Sequence, residues 1–321
     1  MLRVATYNIK AILEGGLSLL PGCGRFFRRG TGGTDSAHYC YSVWLRHLVK
    51  TQNFRKSVGG CLGTVVEIGP GDSLGTGLAA LLSGASRYIG VDVVRYANAQ
   101  KNMKIFESLV SFFADRAPLP NHKEFSEVKP PMDDLSFPSS VLDDELMEKN
   151  LHPKRLQAIA DVLLGTTQES PLFEYVNPVD ASSVVPSGAV DMVFSQAALE
   201  HAEDPEAVYR ACGTWLKAGG LMSHQIDFRS HGSSREWNGH WIYPDAVWRL
   251  IRGNRPYLLN REPCSTHLRL LTENGFQIVV EERSLRPSRI QRSQLAPRFR
   301  KMPEKDLTTA GLYVVGQKVE T

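Results

Sequence analysis

Apolar and polar positions fall into a repeating pattern of short apolar runs and longer periodic stretches. Runs rich in Val, Ile, Leu, Phe and Tyr predict strands over 63–68, 87–92, 172–176, 189–194, 221–228, 276–283 and 311–317. Stretches with apolar residues at three- and four-residue spacing predict helices over 36–54, 74–84, about 95–114, 153–164, 205–217, 244–252 and 264–274. Strand–helix alternation implies a parallel sheet with right-handed crossovers. Asp35 stands where it could cap the helix that begins at Ser36, on which Tyr39, Val43 and His47 recur every four residues and define one face. Pro205 suits a first helical turn, where its missing N–H costs nothing. Gly219-Gly220 and Asn274-Gly275 read as helix stops.

Residues 1–34 read as a helix followed by a Gly/Arg-rich connector, Gly22 to Gly33. After the helix ending near 114 the alternation breaks. Pro118, Pro120, Pro130, Pro131 and Pro138 give 115–150 loop composition, too long for a plain connection. With the helix that follows, 115–165 is expected to be an inserted lid between the second and third strands. The division expected is an N-terminal helical cap over 1–55 and one α/β domain over 56–321.

Composition narrows the picture only slightly. Apolar residues make up 42% of the 321, enough for a core, and the net charge of +3 does not by itself indicate nucleic acid. Five cysteines without a C-x-x-C pair suggest reduced thiols and a cytoplasmic setting. No apolar run approaches the ~18 residues of a membrane span.

The informative stretch is Thr64-Val65-Val66-Glu67-Ile68-Gly69-Pro70-Gly71-Asp72-Ser73. A strand carries an acid near its end, a Gly-Pro-Gly turn follows, and a helix begins. Glycines at such a turn let backbone approach a ligand that a Cβ would push away. The next strand ends in Asp92, about 20 residues beyond the turn, where dinucleotide folds place a ribose-binding carboxylate. The dinucleotide fingerprint itself fails, because Leu74 stands where its third glycine should be, and no phosphate-binding G-x-x-x-x-G-K-[ST] loop exists. Glu67 would repel a pyrophosphate. It would suit a ligand with an ammonium, a sulfonium and no phosphate, as in S-adenosylmethionine (SAM).

The turn resembles motif I of class I SAM-dependent methyltransferases, E-x-G-x-G-x-G, with Ser73 replacing the third glycine. The resemblance continues through Asp180-Ala181, the strand Val190-Asp191-Met192-Val193-Phe194-Ser195, Leu199-Glu200-His201 with Asp204-Pro205, and Leu216-Lys217 with Gly219-Gly220, in the family's order. It implies a Rossmann-like sheet of order 3-2-1-4-5-7-6 with the seventh strand antiparallel. It further implies that Glu67, Gly69, Pro70 and Gly71 hold the methionine end of SAM. Asp92, followed by Val93, would accept from the ribose hydroxyls. Asp180 would accept from the adenine amino group beside an N–H of Ala181, and Ser195 and Gln196 would flank the methyl. A turn-forming Asp is the plainer reading of Asp180.

The acceptor side is less defined. His201 follows the fourth strand and His224 lies in the fifth, so either could take a proton from an acceptor hydroxyl; both could also serve structure alone. Alternation places His224, Ile226 and Phe228 on one face of the fifth strand and Gln225, Asp227 and Arg229 on the other. Trp237, His240, Trp241 and Tyr243 follow, read either as stacking faces for a sugar or as a loop packed over the sheet. His224, Asp227 and His231 could reach a metal, but their spacing is irregular and none is expected. The segment around Asn260-Arg261, with the Glu67 and His224–His231 regions, is similar to bacterial methyltransferase-domain proteins of surface-glycan gene clusters. This implies a methyltransferase acting on an oxygen or nitrogen of a small-molecule, glycan-type acceptor; a quinone or polyketide acceptor, or SAM binding without turnover, are the alternatives. The basic run Arg283, Arg286, Arg289, Arg292, Arg298, Arg300, Lys301 and Lys305 lacks interleaved aromatics. It is read as solvated or facing an anionic acceptor rather than nucleic acid.

Overall fold

The computed structural model describes residues 7–20, 33–55, 62–121, 123–125, 128–166, 172–255 and 258–319. The side chains of Val179, Asp180 and Ser182, and nearly all of the expected Gly/Arg-rich connector, lie outside that description.

Among the described residues seven strands form one sheet: β1 (Thr64–Ile68), β2 (Arg87–Val91), β3 (Phe173–Val176), β4 (Val190–Gln196), β5 (Leu216–Asp227), β6 (Phe276–Leu285) and β7 (Thr309–Lys318). Their order is β3-β2-β1-β4-β5-β7-β6, and β7 runs antiparallel to both β5 and β6. This is the class I methyltransferase arrangement. The order reverses between β1 and β4, and crevices at the carboxyl ends of such strands are where open α/β sheets bind ligands.

The helices are α1 (Ile9–Ser18), α2 (Ala37–Thr51), α3 (Gly75–Leu82), α4 (Ala99–Ala114), α5 (Asp144–Asn150), α6 (Pro153–Leu164), α7 (Pro178–Val184), α8 (Pro205–Trp215), α9 (Asp245–Arg252), α10 (Cys264–Glu273) and α11 (Glu304–Thr308). Side chains alternate across the sheet. Val65, Tyr88, Met192 and Phe194 share a core with residues of α2, α3, α4 and α6, while Val66, Ile89, Val193 and Met222 share one with α8 and α10. Both faces are covered, which is why the strands read as nearly continuous apolar runs.

Two details differ from expectation. Ser36, not Asp35, caps α2, its side chain accepting from the Tyr39 N–H. The strand β5 begins at Leu216, which pairs with Val190; Gly219 at φ 74° and a register shift absorb the glycine pair expected to precede the strand. Helix α1 packs against α9, and α2 packs against α3 and α4 with Trp44, Leu45 and Leu48 fully buried. The inserted segment is likewise tied in: Leu119, Phe137, Leu142, Met147 and Ile159 are buried with α4, and the Arg46 guanidinium donates to the Pro130 carbonyl at 2.7 Å.

Candidate functional site

A cavity of about 1360 Å³ opens at the carboxyl ends of β1, β2, β4 and β5. Single small-molecule sites occupy about 300–1000 Å³, so this one has room for two ligands together. One end is walled by Gly69, Gly71, Asp92 and Val93. Both glycines take left-handed backbone, φ 72° and 74°, which lets the chain turn sharply between β1 and α3. The Asp92 carboxylate accepts from the N–H groups of Gly71 (3.1 Å) and Val94 (3.3 Å). Burial raises its pKa, and these N–H bonds oppose the rise. Ser73, the departure from the motif, donates to the Thr34 carbonyl and accepts from the Gly75 N–H at 3.1 Å. It ties the turn to the segment before α2.

Glu67 does not reach the cavity wall. It lies 2% exposed beneath the turn, beside buried Pro70, and the Tyr88 hydroxyl donates to it at 2.6 Å. Burial first, and Asp92 after it, push its carboxyl up to about 8. The Tyr88 ring occupies the space a Cβ on Gly77 would need, its nearest atom 2.0 Å away. That explains a glycine inside α3.

Other expected contacts also fall elsewhere. The Ala181 N–H donates within α7 to the Asn177 carbonyl at 3.0 Å, and Pro178 is the residue of that helix that lines the cavity. Asp180 belongs to α7, and its side chain is not among those described. Ser195 and His224 pair across β4 and β5, fully buried, with Ser195 Oγ 2.8 Å from His224 Nδ1. Neither lines the cavity; their neighbours Gln196 and Gln225 do. A one-residue step along a strand reverses the face. His224 therefore lies with Tyr209, in the core between sheet and helices, and is not placed to meet an acceptor.

Gln196 is held by a buried chain of hydrogen bonds. His47 Nε2 lies 3.2 Å from Gln196 Oε1, and His47 Nδ1 lies 2.7 Å from Ser223 Oγ, which is 2.8 Å from the Tyr313 hydroxyl. The Gln196 amide nitrogen donates to the Lys129 carbonyl at 3.1 Å. Its amide oxygen must accept, so His47 donates from Nε2 and accepts at Nδ1 from Ser223, which accepts from Tyr313. Every group has one consistent role. Burial pushes the His47 pKa down to about 4, keeping the neutral imidazole this pattern requires.

The far end of the cavity is polar. It is lined by His201, Gln225, Asp227, Arg229, His231 and Arg286, among others. Arg229 forks onto Asp227, its Nε 2.9 Å and Nη2 2.7 Å from Oδ2, and His231 Nε2 lies 3.1 Å from the same oxygen. These partners hold the Asp227 carboxyl well below the usual range despite its burial. His201 closes a single 3-10 turn, Leu199–His201, and its ring centroid lies 5.2 Å from that of His231. Burial, and His231 after it, lower its pKa to about 4. The turn is clamped by Asn260, whose amide donates to the carbonyls of Leu199 (2.7 Å) and Ala202 (3.0 Å).

The aromatic segment is not a stacking platform. His240, Trp241 and Tyr243 are buried, Trp241 donating to the Arg261 carbonyl at 2.9 Å and Tyr243 to the Ser233 carbonyl at 2.9 Å. Trp237 donates to the Pro287 carbonyl and does not line the cavity. In the basic run, Arg283, Arg292 and Arg298 pair with Glu281, Glu304 and Glu262, while Arg286 faces the cavity.

Residues 157–223 match the family model described as a methyltransferase domain. No match to a curated protein was found. Similar solved structures include a SAM-dependent methyltransferase from Methanosarcina mazei, 12% identical over 80% of this chain and 93% of that one, with a TM-score of 0.42. Another, from Mesorhizobium loti, is 16% identical over 84% and 96%, with a TM-score of 0.37. Phosphoethanolamine N-methyltransferase 2 from Haemonchus contortus, solved with SAM, is 14% identical over 92% and 60%, with a TM-score of 0.44. These likenesses are too distant to bear on substrate or residue roles. The methyltransferase-domain match falls within the seven-stranded sheet described above, and SAM is the cofactor implied by the glycine-turn motif. The residues present fit that cofactor: a left-handed glycine turn, a carboxylate at the cavity wall beside it, and volume for an acceptor as well. No helix among the described residues is long and apolar enough to cross a membrane.

Proposed function

We propose that the chain transfers a methyl group from SAM to an oxygen or nitrogen of a small, hydroxyl-rich, glycan-type acceptor. The observation that supports this most is the single cavity running from Gly69 and Asp92 to Asp227, Arg229 and His231. When bound, SAM supplies a methyl group activated by its sulfonium. Asp92 would accept from the ribose hydroxyls, and Gln196, fixed by His47 and Lys129, would wall the passage between the two ends. Asp227, oriented by Arg229, offers a carboxylate of the kind that accepts from acceptor hydroxyls. Arg286, at the same end, suits an acceptor that carries a phosphate or carboxylate. His201 faces that end and would take the proton from an acceptor hydroxyl at an imidazole nitrogen. Holding acceptor and methyl in line is the larger contribution, and orientation of this kind supplies about 7–11 kcal/mol.

The test is transfer of label from methyl-labelled SAM to a panel of nucleotide-sugars, with a quinone and a polyketide for comparison. Labelled nucleotide-sugar is the expected product. Label on the quinone or polyketide alone overturns the acceptor class. Tight SAM binding with no transfer to any acceptor favours a SAM-binding regulator.

A further inference from the structure

The acceptor end holds a cluster in which Glu200 has no part in the steps above. Glu200, Asp227 and His231 each present one ligand atom, and these atoms lie within 4.8 Å of one another. They come from different elements: Glu200 from the turn after β4, Asp227 from the end of β5, and His231 from the loop beyond it. His231 is held at φ 46°, a left-handed conformation uncommon for a residue with a side chain. Glu200 is 2% exposed, and neither of its carboxylate oxygens has a hydrogen-bond partner. A buried carboxylate normally finds donors or a counter-charge, because leaving it bare costs several kcal/mol. Arg229 cannot serve both acids, since its fork is engaged on Asp227. Burial, and the Asp227 carboxylate after it, raise the Glu200 carboxyl well above its usual range, so without a cation a proton neutralises it.

We propose that Glu200, Asp227 and His231 form a divalent-cation site at the acceptor end of the cavity. Two carboxylate oxygens and one imidazole nitrogen suit a hard to borderline ion such as Mn²⁺. Ligand atoms across one ion at ~2.0–2.3 Å stand about 4–4.6 Å apart, so small side-chain shifts bring all three into reach. His231 would exchange its contact with Asp227 for the ion, and the Arg229 fork would keep Asp227 oriented, as outer partners of metal ligands do. Because Asp227 and His231 line the cavity, open positions on the ion would face the acceptor, where hydroxyl, phosphate or carboxylate oxygens could bind. The role in transfer rests on the function proposed above; the binding does not.

The experiment uses the full chain, treated with chelator, dialysed and titrated with Mn²⁺ alone, free Mn²⁺ being followed by electron paramagnetic resonance. One Mn²⁺ per chain is expected, with affinity weakened at least about tenfold in Glu200→Gln and Asp227→Asn. SAM calorimetry on the same samples shows whether each variant is folded, and Asp227→Asn decides if Glu200→Gln is not. Failure of the wild-type chain to bind one equivalent, or binding unchanged in the folded variants, overturns the site. Failure of SAM to bind overturns the methyltransferase reading instead.

Discussion

His47 and Gln196 meet at 3.2 Å across 149 residues of chain, joining α2 to the end of β4 at the cavity wall. A helix that reads as peripheral in the sequence thereby fixes a side chain between the two ends of the site. His47→Phe would keep the ring volume and remove both hydrogen bonds, leaving Gln196 Oε1 and Ser223 Oγ short of a partner. Each unsatisfied buried group costs about 1–3 kcal/mol. Denaturant unfolding should show a loss of about 2–6 kcal/mol for the two groups together, and SAM affinity should fall as Gln196 loses its position. Stability equal to wild type contradicts the network.

Gly77→Ala tests the ground beneath the glycine turn. The added methyl would overlap the Tyr88 ring, which cannot retreat without breaking its hydrogen bond to Glu67. Overpacking of this kind costs about 1–3 kcal/mol, and the fall in the unfolding midpoint measures it. A neutral effect would show that Tyr88 is not confined there.

Stability should depend on pH through buried histidines. Burial lowers His47 to about 4, His224 to about 3 and His267 to about 4, from an ordinary value of 6.5. Between those values and 6.5 the unfolded chain holds protons that the folded chain does not, so stability falls as pH drops through that window. Glu67 acts in the opposite sense. It is raised to about 8, so the folded chain keeps a proton that the unfolded chain loses above 4.5, and stability falls as pH rises from there to about 8. The three histidines outnumber it below 6.5. Denaturant midpoints should therefore fall from pH 6.5 to pH 4; a flat profile contradicts the burial of these imidazoles.

Chemistry at the acceptor end separates from cofactor binding. His201→Ala should lose at least about 100-fold in turnover at unchanged SAM affinity, the low end for a general base. Asn260→Ala removes the clamp on the same turn and should lower turnover in the same direction by a smaller factor. Turnover equal to wild type in His201→Ala would leave orientation alone to carry the reaction.

The sheet was legible in the sequence because each central strand is an apolar run closed at its carboxyl end by an acid or a polar residue, the signature of strands buried on both faces. The turn at Gly69–Gly71 and Asp92 was legible for the same reason. What escaped was direction. Alternation reverses the face at each residue, so of the adjacent pair Ser195 and Gln196 only Gln196 lines the cavity, and on β5 it is Gln225 rather than His224 that does. Long-range partners escaped as well. Glu67 is held below the cavity wall by Tyr88 from the neighbouring strand, and Trp241 and Tyr243 are tied into the core through the carbonyls of Arg261 and Ser233. No local pattern encodes those contacts. His47 was placed on a defined face through its spacing from Tyr39 and Val43, but its partners on β4 and β5 appear only in the folded chain.

The central claim is that SAM sits at the glycine turn with Asp92 on its ribose, and calorimetry of SAM against the wild-type chain and Asp92→Ala tests it most directly. A micromolar dissociation constant, about −8 kcal/mol, is expected for the wild type. Loss of the carboxylate should weaken SAM by at least about 1.5 kcal/mol with the fold intact. Equal affinity in a folded Asp92→Ala variant would contradict the account.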